Sequence, residues 1–171
     1  MASADAGRGP LINNGNIEAL KQSPLVVEMD DVEIAALARI ADLRECADGE
    51  VLVEEGSRDS HLFVPITGKI EITKLDEHNM SSVLHTLRPG DLAGELSFMD
   101  GEPRYASLIA SGPTRVLVLE RERFEQLLPS HPVVVYKTMR AIMRVAHNVQ
   151  RKMNRQMVDM QHYLFRTGGK Y

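Results

Sequence analysis

The spacing of apolar residues divides the chain into a helical beginning, a β-rich middle and a helical end. Over residues 17–41 the apolar positions recur at helical spacing, with an interruption at Pro24. Asp30 and Asp31 then occupy a favourable helix start, because acidic side chains in a first turn complement the helix dipole. We therefore expect two short helices here, preceded by a flexible, Gly- and Asn-rich arm over residues 1–16.

The middle of the chain consists of short apolar runs separated by turn sequences such as DG, EG, TG and RPGD. These runs lie at 51–53, 62–66, 70–75, 83–87 and 116–119. Many short strands at this spacing, without helices between them, are typical of an antiparallel sandwich, barrel or jelly roll. Pro65 indicates an edge or a bulge, and Gly68 indicates a bulge or a turn with positive φ.

Helical spacing returns at Arg121, where RERFEQLL predicts a short helix, and Pro132 suits the first turn of a long one. The apolar stripe of the long helix advances in steps of three or four: Val135, Met139, Ile142, Ala146, Val149, Met153, Met157, Met160 and Leu164. A domain of this size cannot cover the whole stripe, so we expect it to pair with a second copy as a parallel coiled coil. The alternative is that the stripe packs wholly against the β domain.

The formal net charge of −4 is unevenly distributed along the chain. Residues 133–171 carry a net charge of +7, and the remaining residues therefore carry −11. Such an asymmetry can mark a tail that binds a polyanion. We favour the simpler interpretation, a solvated helix face that complements an acidic body, because the basic residues surround the helix instead of forming one stripe.

Composition and motifs narrow the class of protein further. A single cysteine, Cys46, cannot form an internal disulfide, the N-terminus resembles no signal peptide, and no apolar run approaches membrane-spanning length. We therefore expect a soluble, cytoplasmic protein that does not enter a membrane. The chain contains no GxSxG, HExxH or P-loop motif, and its six histidines are scattered, so we expect neither an enzyme nor a metal site.

The segment GELSFMDGEPRYAS, residues 94–107, combines features of a ligand-binding loop. Gly94 would let the backbone approach a ligand closely, and a helical turn after Leu96 would offer free N–H groups to an anion. Arg104 carries a planar cation suited to phosphate or carboxylate, whereas Glu95 suits a sugar hydroxyl. These residues predict a phosphate-sugar ligand, and the alternative is a plain Glu95–Arg104 salt bridge across the loop.

The same segment, preceded by LRPGDLA and followed by VLVLERERFEQLL, resembles the phosphate-binding cassette of cyclic nucleotide-binding domains. GEVLVEEGSRDSHLFVPITGKIEITK resembles the upstream strands of that family, and the resemblance covers about residues 17–155. It implies a mainly β fold with flanking helices: an eight-stranded antiparallel β-roll, a jelly-roll-like double-stranded β-helix, with N-terminal helices and a long C-terminal helix. The β-roll with its helices would occupy 17–132, a dimerising C-helix 133–165 and a tail 166–171.

The resemblance also implies roles for single residues. Gly94 matches the cassette glycine, Glu95 the carboxylate that accepts from the ribose 2′-hydroxyl, and Arg104 the arginine that faces the cyclic phosphate. Leu96 would supply a backbone N–H and an apolar wall, and Ala106 matches the small residue of the motif. The ligand-binding set is Gly94, Glu95, Leu96, Ser97, Arg104, Tyr105 and Ala106, and the expected base contacts on the C-helix are Asn148, Val149, Gln150 and Lys152.

Tyr105 departs from the family pattern, which usually has Ser, Thr or Ala at this place. Its ring could point away, line the pocket for the base, or fill the phosphate position and leave the site empty. The choice decides whether the chain is a working sensor or an interaction module that binds no nucleotide.

The favoured function is a stand-alone sensor that resembles the ligand-binding domain of the catabolite activator protein. It would bind cAMP or cGMP, form a homodimer through the C-helix and signal to an unidentified downstream protein by C-helix movement. After Leu164 only FRTGGKY remains, which is too short for a winged helix-turn-helix, so we expect no direct binding to DNA. A degenerate module plugged by Tyr105 is the alternative, and a tail that binds nucleic acid or an anionic membrane is favoured least.

Overall fold

A computed structural model describes residues 14–167 of the chain, with side chains as far as Tyr163. The α-helices are α1 (Asn14–Lys21), α2 (Asp31–Ala38), α3 (Glu95–Asp100), α4 (Arg121–Glu125) and α5 (Pro132–Thr167), and a 3-10 turn spans Pro24–Val26. The strands are β1 (Ala41–Cys46), β2 (Val51–Val53), β3 (His61–Thr67), β4 (Ile70–Leu75), β5 (Ser81–Leu87), β6 (Ser107–Ala110) and β7 (Thr114–Glu120). The mainly β fold with flanking helices is therefore confirmed.

The strands form two antiparallel sheets with the orders β1-β7-β3 and β2-β6-β4-β5. Side chains alternate across β3, so Leu62 and Val64 face the helices whereas Phe63 faces the second sheet. On β7, Leu117 and Val116 alternate in the same way. The sheet β1-β7-β3 is thus buried on both faces, between the helices on one side and the interior of the roll on the other.

The roll has seven strands within residues 14–167, and the expectation of eight is wrong. At the place where a further strand would lie, Ala93 forms an isolated bridge with Phe63. Each backbone N–H of this pair donates to the other residue's carbonyl at 2.9 Å. The next residue, Gly94, already has φ of 87° and begins a helix, so the extended segment ends before a strand can develop.

The N-terminal helix begins earlier than the sequence indicated. Asn14 starts α1, so residues 14–16, which we had assigned to the flexible arm, form its first turn. Asn16 is buried, and its side-chain amide donates to the carbonyl of Ala41 at 2.7 Å, which fixes this turn against the start of β1. Residues 1–13 of the predicted arm and residues 168–171 of the predicted tail lie outside the described residues.

The first part of α5 is fixed to the body of the domain. Val134, Thr138 and Ile142 are buried against the N-terminal helical segment and the sheet. Lys137 donates to both carboxylate oxygens of Glu33, at 2.8 and 2.6 Å. The bonds from Lys137 lower the pKa of Glu33, and a bond from the Asp30 N–H acts in the same direction.

The second part of α5 leaves the body. From Gln150 to Tyr163 every residue is exposed, including Met153, Met157 and Met160 of the predicted stripe. The alternative in which the whole stripe packs against the β domain is therefore wrong, because the domain contacts the stripe only as far as Val149. Within residues 14–167, no helix combines the length and the apolar character that a bilayer-spanning segment needs.

Candidate functional site

A groove of about 220 Å³ opens on the interior of the roll, beside α3. Strands β4, β5 and β6 contribute apolar side chains to it, and Val149 of α5 borders it from the other side. The structure brings all of the predicted cassette residues to the lining of this groove: Gly94, Glu95, Leu96, Ser97, Arg104, Tyr105 and Ala106. Proximity alone does not assign their roles, which stay predictions.

Gly94 has two physical reasons to be glycine. Its φ of 87° lies in the left-handed region, which side chains rarely adopt. A Cβ at this position would also collide with Nη1 of Arg104 and would lie 2.8 Å from the carbonyl oxygen of His61. The glycine therefore lets the Arg104 guanidinium pack directly against the start of α3.

Helix α3 presents backbone donors beside this arginine. The first hydrogen bond within the helix runs from the Phe98 N–H to the Gly94 carbonyl, at 2.9 Å. The N–H groups of Glu95, Leu96 and Ser97 consequently have no acceptor inside the helix. Backbone donors and a guanidinium thus meet at one end of the groove.

Arg104 is held rigidly by the turn between β2 and β3. Its backbone N–H donates to the Ser57 carbonyl at 2.9 Å, and its carbonyl accepts from the Gly56 N–H at 2.8 Å. The side chain is buried, with about 5% of the residue exposed. Its Nη2 donates to a carboxylate oxygen of Asp59 and to the carbonyl oxygen of His61.

The remaining nitrogens of Arg104 are unsatisfied. Nε and Nη1 are buried and find no acceptor among residues 14–167. Leaving charged donors unpaired in the interior costs free energy, so such groups in native proteins call for an explanation. A ligand anion in the adjoining groove would provide the missing acceptors.

Asp59 is the partner of Arg104 in the site, and the sequence analysis did not identify it. The Glu95–Arg104 salt bridge considered from sequence does not form, because Arg104 pairs with Asp59 instead. Asp59 also accepts from the His61 N–H at 2.9 Å and lies 3.0 Å from His61 Nδ1. Burial by itself would raise the pKa of Asp59, but the bonds from Arg104 and the His61 backbone outweigh it and lower the pKa.

Glu95 keeps its carboxylate available at the groove. The residue is half-buried, and no cation within the described part of the chain pairs with it. Ser97 is buried, whereas the Leu96 side chain is exposed at the rim. A carboxylate in this position can accept a hydrogen bond from a hydroxyl group of a ligand.

Tyr105 lies at the rim of the groove and packs on Lys74. The residue is 71% exposed, and the Lys74 ammonium lies 3.9 Å from the ring centroid. The same ammonium donates to the Tyr105 carbonyl at 2.8 Å and to Glu55 at 2.7 Å. With the ring in this place, the groove that Arg104 and Tyr105 both line keeps a volume of about 220 Å³.

The structure separates the C-helix residues that were expected to contact a base. Val149 borders the groove, and Asn148 and Lys152 line a neighbouring cavity together with Val149. Gln150 is exposed and lines neither cavity, so its role as a base contact stays a prediction. Successive helix residues differ in direction by about 100°, which carries residue 150 away when residue 149 faces the roll.

No group of three or more His, Cys, Asp or Glu side chains that could hold a metal occurs in the described part of the chain.

Comparisons with known proteins agree with this architecture. The family model described as "Cyclic nucleotide-binding domain" matches residues 43–131, slightly more than half of the chain. A cAMP-dependent protein kinase regulatory subunit from Dictyostelium discoideum is 29% identical over 113 residues, covering 64% of this chain and 35% of that relative. The chain spans only 22% to 35% of the length of the curated relatives it matches.

Solved structures share the fold. A cyclic nucleotide-binding domain from Methylobacillus flagellatus superposes with a TM-score of 0.74 at 23% identity, covering 86% of this chain and 83% of that one. The catabolite activator protein from Thermus thermophilus superposes with a TM-score of 0.62 at 24% identity, covering 83% and 63%. At these identities the likeness establishes a common fold.

Proposed function

The chain belongs to the family of cyclic nucleotide-binding domains, and from that membership we propose that it is a regulatory protein that binds cAMP or cGMP in the groove beside Arg104. The observation that carries the proposal is the buried Arg104 guanidinium, whose Nε and Nη1 lack acceptors among the described residues. A cyclic phosphate is an anion of the right chemistry for these donors.

The lining of the groove supports one orientation of the ligand. The phosphate would accept from Arg104 and from the free N–H groups at the start of α3. The ribose 2′-hydroxyl would donate to Glu95, which no protein cation neutralises within residues 14–167. The base would then extend between the apolar wall of the roll and Val149 of α5.

The name of the relative in Dictyostelium discoideum makes cAMP the first ligand to test, with cGMP beside it. We propose a regulatory role without catalysis, in which occupancy of the groove is passed to a downstream protein. Binding would favour the position of α5 in which Val149 closes the groove, since a ligand shifts an equilibrium toward the state it binds better.

The second part of α5 would carry this change into a homodimer. Met153, Met157 and Met160 are each more than 60% exposed and continue the face by which Ile142 packs on the body. A second copy of the same helix would cover these side chains as a parallel coiled coil. The methionine content would give an adaptable seam that tolerates a shift of the helix.

We favour this proposal over a module plugged by Tyr105. The ring packs on Lys74 at the rim of the groove, and an open volume of about 220 Å³ remains between the lining residues, Arg104 among them.

The decisive experiment is isothermal titration of the full chain with cAMP, cGMP and the 2′-deoxy form of cAMP. We expect saturable binding, and we expect Arg104→Gln to weaken it about 100-fold through the loss of charge-assisted hydrogen bonds. Arg39→Gln, an exposed change outside the groove, is the matched control. Absence of heat with every nucleotide at millimolar concentration would refute the proposal.

A second variant avoids disturbing the buried arginine. Glu95→Gln should weaken cAMP about tenfold, because it removes a hydrogen bond to a charged acceptor. The same variant should leave the affinity for the 2′-deoxy ligand unchanged, since that ligand has no hydroxyl to donate. Equal effects on the two ligands would show that Glu95 does not contact the ribose.

A further inference from the structure

A second cavity, of about 350 Å³, lies between α5 and the turn that follows β5. Gly90 and Asp91 of that turn form one wall, and Val149 borders both this cavity and the groove. The cavity is therefore a neighbour of the proposed nucleotide site, but Arg104 and Glu95 take no part in it. Asn148, Val149 and Lys152 of its lining are expected base contacts, but the proposed function gives no role to Arg151 and Arg155.

The charge of the cavity is its distinguishing property. Arg151, Lys152 and Arg155 line it, and none of them has a carboxylate partner within residues 14–167. The acid of the lining, Asp91, uses a carboxylate oxygen to accept from the Arg88 N–H at 2.9 Å. The lining therefore has an excess of positive charge that the protein itself does not neutralise.

The earlier part of the same helix behaves differently. Lys137 pairs with Glu33, and Arg140 and Arg144 both pair with Glu28. Cations that face protein on α5 are thus matched by acids, whereas those at the cavity are not. The contrast shows that the unmatched charge is local to the cavity and is not a general property of the helix.

The spacing of the polar residues gathers their donors on one face. Positions 148, 151, 152 and 155 follow one another by three, one and three, which is the pattern of a single helix face. Arg151, Lys152, Arg155 and Asn148 therefore line the same cavity, which Gly90 borders from the other side. A Cβ at Gly90 would meet nothing within 4 Å, so the opposite wall is open.

We propose that this cavity binds a phosphate group carried by a small molecule. Guanidinium forks match the oxygens of phosphate, and an ammonium beside them adds a point charge. The phosphate could come from two sources: the second half of a cyclic dinucleotide whose first half lies in the groove, or a separate phosphate-bearing molecule. In both cases the bound phosphate offsets part of the positive charge of Arg151, Lys152 and Arg155.

Occupation of the cavity has a consequence for the groove. A phosphate here holds α5 near residues 148–155 against the turn at 88–91, and this turn leads directly to Gly94. Because both ligands favour the same helix position, each increases the affinity for the other by the same factor. The dimer face stays free, since Met153, Met157 and Met160 lie on a different face of α5.

The test is titration of the full chain with pyrophosphate at low ionic strength, where exposed charges are least screened. The cavity variant is Arg151→Gln and Arg155→Gln combined, which leaves the expected base contact Lys152 in place. The control combines Arg39→Gln and Arg115→Gln, which removes the same charge from exposed positions outside the cavity. We expect saturable binding by the wild type and the control, and binding at least about tenfold weaker in the cavity variant.

Two results would overturn the inference: no saturable binding of pyrophosphate or of a cyclic dinucleotide, or equal weakening in the cavity variant and the control. Circular dichroism of both variants establishes that they are folded. Since every substituted side chain is exposed, we expect no loss of structure.

A cyclic dinucleotide distinguishes the two sources. If it supplies the phosphate, it binds more tightly than pyrophosphate and cAMP, and the cavity variant weakens it while leaving cAMP unchanged. If the phosphate belongs to a separate molecule, pyrophosphate and cAMP bind together, and each raises the affinity for the other.

The outcomes also separate this inference from the proposed function. Of the two sources of phosphate, only the cyclic dinucleotide requires that the groove bind a nucleotide as proposed. Cavity-dependent binding of pyrophosphate without any binding of cAMP or cGMP would refute the proposed function alone. Binding of cAMP with no cavity-dependent ligand would refute this inference alone.

Discussion

The Lys74 ammonium lies 3.9 Å from the centroid of the Tyr105 ring and donates a hydrogen bond to the Tyr105 carbonyl. Lys74 is itself paired with Glu55, so the cation, the ring and the acid form one cluster. The residue that departs most clearly from the family pattern is therefore held at the rim of the groove by its neighbours.

This placement predicts the effect of Tyr105→Ala. The affinity for cAMP should change by less than about threefold, because most of the Tyr105 side chain is exposed and its ring packs on Lys74 at the rim of the groove. Titration of the variant beside the wild type measures it, and Lys74→Gln, which removes the cation from the same cluster, is the companion change. Appearance of binding only after Tyr105→Ala would instead support a plugged site.

The close approach of Arg104 to Gly94 predicts an unusually costly Gly94→Ala. Gly49→Ala is the matched control, because Gly49 has a similar φ of 77° but nothing within 4 Å of a Cβ. The control should lose about 1 kcal/mol of unfolding free energy from backbone strain alone. Gly94→Ala should lose about 1–3 kcal/mol more, since its Cβ must displace the guanidinium or the His61 carbonyl.

Urea unfolding of both variants gives the two free energies, and titration with cAMP gives the affinities. We expect nucleotide binding to weaken in Gly94→Ala and to be kept in Gly49→Ala. Equal stabilities of the two variants would mean that the contact between residue 94 and Arg104 is relieved without cost.

The sequence was sufficient to predict the gathering of Gly94 and Arg104 around one groove, because both belong to a single short segment with a helical turn between them. It did not reveal Asp59, the partner of Arg104. The two residues are 45 positions apart in the chain and meet only because the turn before β3 lies over the turn before β6. A lone aspartate in a polar turn carries no signal of such a pairing.

The number of strands and the direction of Gln150 on the helix could not be read from the sequence, for different reasons. Ala93 has the apolar character of a strand residue, but the left-handed Gly94 ends the extended segment after one bridge. Gln150 was placed by its depth along the helix, whereas its access to the groove depends on helix phase. A one-residue difference in phase decides which side chain faces the roll.

The lowered pKa of Asp59 predicts a specific pH dependence of stability. Its folded pKa lies below its unfolded value of about 4, so its ion pair stabilises the fold fully above that value. The contribution disappears as the pH falls through the folded pKa. Asp59→Asn should therefore lower the unfolding free energy by about 1 kcal/mol near neutral pH, the difference between a charged and a neutral hydrogen bond.

At acid pH the stability of Asp59→Asn should approach that of the wild type, because the wild-type carboxylate is then protonated. Unfolding curves at closely spaced pH values between about 2 and 7 measure the convergence. Glu33, Glu50 and Glu55 also have lowered pKa values, so only the difference between variant and wild type reports on Asp59. A difference that stays constant across this range would show that the ion pair does not contribute.

The exposed methionines of α5 predict where self-association can be broken. Met157 is 64% exposed and lies on the stripe that would face a second copy, whereas Val158 is 50% exposed on another face of the helix. Met157→Glu places a charge in the proposed seam. It should weaken the dimer about tenfold or more, because the introduced carboxylates of the two copies face each other in a parallel pair of helices. Val158→Glu makes the same kind of change outside the seam and should leave the dimer intact. Sedimentation equilibrium over a range of concentrations measures the dimer affinity of both variants. An equal loss of affinity in Val158→Glu and Met157→Glu would exclude the methionine stripe as the interface.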